Sequence, residues 1–135
     1  MSTADIEKAS ELMGGRKPIN EVGTCFDSSY LTFIHPTNSS IRQPGDRLCH
    51  GIGVANMPGQ EGNVMGHAWI EFDHQGRRAA YDSIWGVTTS AEKYRADLKL
   101  EYVREYTFED AVVLGHLHDY SGPWDDKIKA ITDKK

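Results

Sequence analysis

Residues 66–85, Gly-His-Ala-Trp-Ile-Glu-Phe-Asp-His-Gln-Gly-Arg-Arg-Ala-Ala-Tyr-Asp-Ser-Ile-Trp, constrain the fold more than any other stretch of the chain. Ala68, Ile70 and Phe72 alternate with His67, Trp69 and Glu71, a period of two that turns the two sets to opposite faces of a strand. Residues 73–76 carry turn chemistry, with a glycine available for a positive φ. A second strand over 78–84 returns beside the first and brings Asp82 toward the end that holds His67. A carboxylate that grips one imidazole nitrogen leaves the other to act on a third group. Elsewhere in the chain, Cys25 is the candidate for that group.

The length of 135 residues fits one domain over 1–135, with an ordinary hydrophobic core. Apolar residues at 39% and charged residues at 26% are globular values, which confines disorder to the ends. A formal charge of −5 and the lack of a Lys/Arg cluster argue against a nucleic-acid partner. No apolar run approaches a membrane span, so no membrane partner is expected. The first residues, Met-Ser-Thr-Ala-Asp-Ile-Glu-Lys, lack the pattern of a signal peptide, and a cytoplasmic location is expected. Two cysteines in such a chain are expected as thiols.

Ser2 or Thr3 caps a predicted helix through Met13, ended by Gly14-Gly15. An irregular approach over 18–23 carries Asn20. Phe26, Tyr30, Phe33 and Ile34 then fall on one helical face, and Pro36 stops the helix. Cys25 would lie in its first turn, where unpaired N–H groups and the helix dipole favour a thiolate. By itself, a free cysteine reads first as a small buried hydrophobe.

Residues 37–46 read as a loop, 47–55 as a glycine-containing strand and 58–66 as a mobile connection. A short helix over 90–97 turns Tyr94 inward, and 98–106 alternates like a half-buried strand. A further helix runs from 110 to about 117. Trp124 follows a Gly-Pro turn and packs on the core, and a frayed charged tail ends the chain. The fold class is therefore α+β: an antiparallel sheet of about four strands, from the segments near Arg47, His67, Arg78 and Leu98, packs on the Cys25 helix and the helix after Thr107.

A cysteine opening a helix, then a Gly-rich strand, Gly-His-Ala-Trp-Ile-Glu-Phe and Ala-Tyr-Asp-Ser, resembles the transglutaminase-like branch of the papain-like cysteine enzymes. The resemblance spans about residues 23–83 and keeps the order Cys25, His67, Asp82; Ser83 replaces the proline usual after the aspartate. It implies a papain-like or transglutaminase-like core and a Cys-His-Asp triad. Cys25 would attack an amide or ester carbonyl of a peptide, protein or small amide, with His67 as base and then acid and Asp82 holding the imidazole. The Cys25 N–H, with Asn20 as a further side-chain donor, would stabilise the oxyanion. The resemblance calls for neither cofactor nor metal. Two rival readings use overlapping residues. One is a metal site from His50, His67, His116 and His118 with Asp82 or Cys49, although the usual ligand spacings are missing. The other is a binding module that keeps the fold without the chemistry.

Overall fold

The computed structural model describes residues 25–54, 62–84 and 86–133. In chain order these form α1 (Cys25–Ile34), a 3-10 turn (Pro36–Asn38), β1 (Arg47–Val54), β2 (Val64–His74), β3 (Arg77–Asp82), β4 (Val87–Ser90), α2 (Ala91–Asp97), β5 (Tyr102–Tyr106), α3 (Phe108–His118) and α4 (Asp126–Thr132). The hairpin of β2 and β3 closes through Gln75 and Gly76, both in the left-handed region at φ 51° and 76°. Two such residues in a row twist with the flanking strands, which makes this the favoured two-residue hairpin turn. The register that follows pairs His74 with Arg77, Phe72 with Ala79 and Ile70 with Tyr81.

All strand pairs are antiparallel, in the order β4-β3-β2-β1-β5. Because β1 residues face β2 residues directly (His50 opposite Ala68, Cys49 opposite Trp69), alternation sorts the sheet into two faces. Leu48, Ile70, Phe72 and Tyr81 pack with Phe33 of α1, Ala111 of α3 and Trp124. Lower on the same face, Ala68 packs with Phe26 of α1 and Ile128 of α4. The opposite face carries Cys49, Trp69 and Ala80, covered by Ala91, Tyr94 and Leu98 from α2 and the turn behind it.

α1 ends before Pro36, as its sequence requires, but its buried surface is wider than the apolar stripe. Ser28, Ser29 and Thr32 are buried along with Phe26 and Phe33. Small side chains let this helix lie close to the sheet, and the Ser29 hydroxyl reaches across to Ala68 and Ser83.

Five strands form where about four were expected, and β4 is the addition. The strand expected over 98–106 is shortened to β5 because 98–101 end α2 instead. Lys99 turns left-handed at φ 51°, and the Leu100 N–H reaches back to the Arg95 carbonyl at 2.9 Å, the hydrogen-bonded stop of many helices. The same turn binds the end of β1, with Val54 N–H donating to Leu98 O at 2.8 Å. The helix expected from 110 starts at Phe108, behind a reciprocal Thr107–Asp110 capping box. The tail expected to fray contains α4, whose cap Asp125 accepts from Lys127 N and Ile128 N and also from Tyr102 Oη and Arg104 Nε. Residues 62–66, expected within a mobile connection, run into β2, which starts at Val64. The helix predicted over 2–13 and Asn20 lie outside the described residues.

Candidate active site

β3 stops pairing at Tyr81 opposite Ile70, whereas β2 continues back to Val64. The flank of β2 from Val64 to Trp69 therefore extends past β3, and α1 packs over this part of β2 on the face that carries Ala68. Phe26 lies against Gly66, where a side chain would meet its ring, and packs with Ala68; Phe33 packs with Ile70 and Phe72. α1 thus runs in the direction of β2, with its first residues level with 66–68. Ser29 Oγ donates to the Ala68 carbonyl at 3.2 Å and lies 3.3 Å from Ser83 Oγ. It touches the residue after His67 and the residue after Asp82. Cys25 precedes Ser29 by four positions, one helical turn on the same flank. It is partly buried, against Phe26, Ala68 and Ile128.

His67 and Asp82 share the opposite sheet face from Ala68. One step past the Ile70–Tyr81 pair, Asp82 comes level with Trp69 and diagonal to His67. Such diagonal neighbours have Cα atoms roughly 7–8 Å apart, within reach of long side chains. His67 is half-buried with its Nε2 enclosed. Asp82 is 7% exposed. Its Oδ1 accepts from Ile84 N–H at 3.0 Å and its Oδ2 from Tyr94 O–H at 2.7 Å. The Tyr94 pKa is raised first by burial, then by the charge of Asp82 and the bond to it, with smaller contributions from Cys25 and Cys49. Cys25 thus lies against Ala68, the residue after His67, at the end of β2 that β3 does not pair, while His67 and Asp82 face the other side of the sheet near the end of β3. Tyr94 is the member that sequence reasoning treated only as packing; a buried tyrosine hydroxyl needs a partner, which was the available signal.

The other reactive groups lie elsewhere. Trp69 is fully buried, its Nε1–H on Glu71 at 2.8 Å. Glu71, itself buried, also binds Arg95 Nε at 2.8 Å and Arg78 Nε at 3.4 Å. Burial, with the charge of Glu71 behind it, pushes the Cys49 thiol pKa well up. Cys49, Glu71 and Glu105 are the one group among the described residues whose ligand atoms lie within 4.8 Å of one another, but two arginines already neutralise Glu71. The histidines proposed for a metal do not converge among the described residues. His50 faces the α1 side of the sheet and His67 the α2 side, and His116 and His118 are exposed on α3. No described helix is long and apolar enough to cross a membrane.

No protein-family model matches the chain, and no match to it is found among curated proteins or solved structures.

Proposed function

We propose that this protein is a cysteine-dependent acyl-transfer enzyme with a transglutaminase-like, papain-like arrangement of Cys25, His67 and Asp82. The observation that carries the reading is Ser29. From one turn beyond Cys25 it reaches both Ala68 and Ser83, which brings the thiol's helix against the neighbours of the imidazole and of the carboxylate. In the reaction, His67 takes the Cys25 proton and the thiolate sulfur attacks the acyl carbon of a peptide, protein or small amide. The Cys25 N–H supports the oxyanion. The amine leaves with the proton held by His67, and a thioester remains on Cys25. Water or a second amine, deprotonated by His67, then takes the acyl group and frees the thiol. Asp82 keeps the imidazole in the tautomer that this sequence needs.

An activated ester such as p-nitrophenyl acetate tests the reading. One equivalent of acyl group should appear on Cys25 in a rapid burst, identified by peptide mass spectrometry. Cys25→Ala should abolish it, and His67→Ala should slow it by roughly 10²-fold or more. Acylation of Cys25 at the rate of a free thiol, unchanged in His67→Ala, would rule out the enzyme.

A further inference from the structure

We infer that Tyr94 is a positioning residue of this site, whose phenol O–H locks the Asp82 carboxylate in the orientation that holds His67; the inference rests on the thiol-enzyme reading above. Asp82 is the last residue of β3; among the described residues its backbone is held only by the hairpin to β4, pairing with β2 having ended at Tyr81. A carboxylate with a single donor can swing about its Cβ–Cγ bond. Here the Ile84 N–H holds Oδ1 and the Tyr94 O–H holds Oδ2, so the two oxygens are pinned from different elements and the carboxylate plane is fixed. Packing alone would not require the hydroxyl. The Tyr94 ring already lies 5.4 Å from that of Trp69 and joins the cluster of Cys49, Ala80 and Leu98, a role phenylalanine fills equally. The hydroxyl's hydrogen bond among the described residues goes to Asp82. Burial and the adjacent carboxylate both disfavour phenolate, so Tyr94 stays a donor through the working range of any thiol enzyme. α2 itself is held by its Ser90 cap and by Leu98. The tyrosine therefore transmits the position of α2 to the carboxylate.

The test is the pH profile of Cys25 alkylation by iodoacetamide, between pH 5 and 9.5, read at Cys25 by peptide mass spectrometry. The wild type, Tyr94→Phe, Asp82→Asn and the double variant are compared. The wild-type midpoint should lie well below that of an ordinary thiol, about 8.5. Tyr94→Phe should raise it by about one pH unit, because a less firmly held carboxylate stabilises imidazolium, and through it thiolate, less well. The plateau at high pH should stay within about twofold, since thiolate forms there without help. In the Asp82→Asn background, Tyr94→Phe should add no further shift, as expected when one residue acts through the other. An unmoved midpoint in Tyr94→Phe, an equal shift in both backgrounds, or a Tyr94→Phe chain that no longer folds overturns the positioning role while leaving the enzyme reading in place. A wild-type midpoint at the ordinary thiol value overturns the enzyme reading, and this inference with it.

Discussion

Around position 50 an imidazole is walled in by aromatic rings. Phe26 lies 4.8 Å from it between centroids, Tyr106 and Trp124 each 5.1 Å. Gly122 closes the cage, since a side chain there would strike the imidazole. Among the described residues neither His50 nitrogen has a hydrogen-bond partner. Burial pushes its pKa down from 6.5 to about 3, against a smaller opposing pull from Asp125. As pH falls below 6.5 the unfolded chain takes up a proton that the folded chain refuses until about 3, so stability is lost across that window. With each pH unit worth about 1.4 kcal/mol, the full loss is on the order of 5 kcal/mol. Urea melts of His50→Leu should therefore show a shallower decline than wild type between pH 7 and 4. At pH 7 the variant should be at least as stable, because it removes two unsatisfied buried nitrogens. Parallel declines in the two proteins would refute this account. Asp82→Asn belongs to the same scale. An amide can accept from only one of Ile84 N and Tyr94 Oη while its NH₂ faces the other, so this variant should lose about 1–2 kcal/mol in a thermal or urea melt.

At the scale of elements, α4 joins the tail to the site. Ile128 is fully buried with Phe26 and Ala68, and Cys25 packs on the same cluster. Ile128→Ala should cost roughly 2–4 kcal/mol by cavity formation. Because the cavity borders Cys25, it should also slow acylation of that thiol in protein that remains folded. A burst rate unchanged per folded molecule would mean that α4 supports the fold alone. The sequence showed little of this helix, since Asp126, Lys127 and Lys129 make it look like a solvated tail. Its stabilisation comes from Asp125, which caps it and ties it to Tyr102 and Arg104 of β5, contacts more than twenty residues away in the chain. The β2–β3 hairpin and the end of α1 were legible because local rules decide them: alternation, a turn glycine, and Pro36. Leu98 and Leu100 alternated convincingly with polar neighbours, but a helix stop claimed them. Among the candidate residues, the order Cys25, His67, Asp82 could be read directly. The contact of Ser29 with Ala68 and Ser83, and the Tyr94 bond, depend on where β3 ends and on which way α2 faces.

At the scale of the whole molecule, the described residues cover the two sheet faces unequally, and the two thiols report on the difference. One face carries α1, α3 and α4, with large rings from Phe33, Phe72, Tyr81 and Trp124 interlocked beneath them. The other is covered by the seven residues of α2 and the turn to Leu100, packed on Trp69, Cys49 and Ala80. Its flank is held by Arg95, which binds Glu71 at 2.8 Å and Glu105 at 3.5 Å. The contact with Glu105 is open to water, where ion pairs contribute little, whereas Glu71 is buried. Cooperative units with few buried apolar contacts open before the rest of a domain. Cys49, fully buried beneath α2 with its ionisation suppressed, should therefore label only when this layer lifts. Partly exposed Cys25 should label without any opening. Measured in rising urea below the unfolding transition at pH 8, the Cys25 rate should stay nearly flat. The Cys49 rate should climb with a slope well below the global m-value, because m scales with the surface exposed and releasing α2 exposes only part of it. A Cys49 slope equal to the global value would mean that both faces open together and that the α2 layer is as firmly held as the rest. Labelling of Cys49 ahead of Cys25 without urea would reverse the assignment of the reactive thiol.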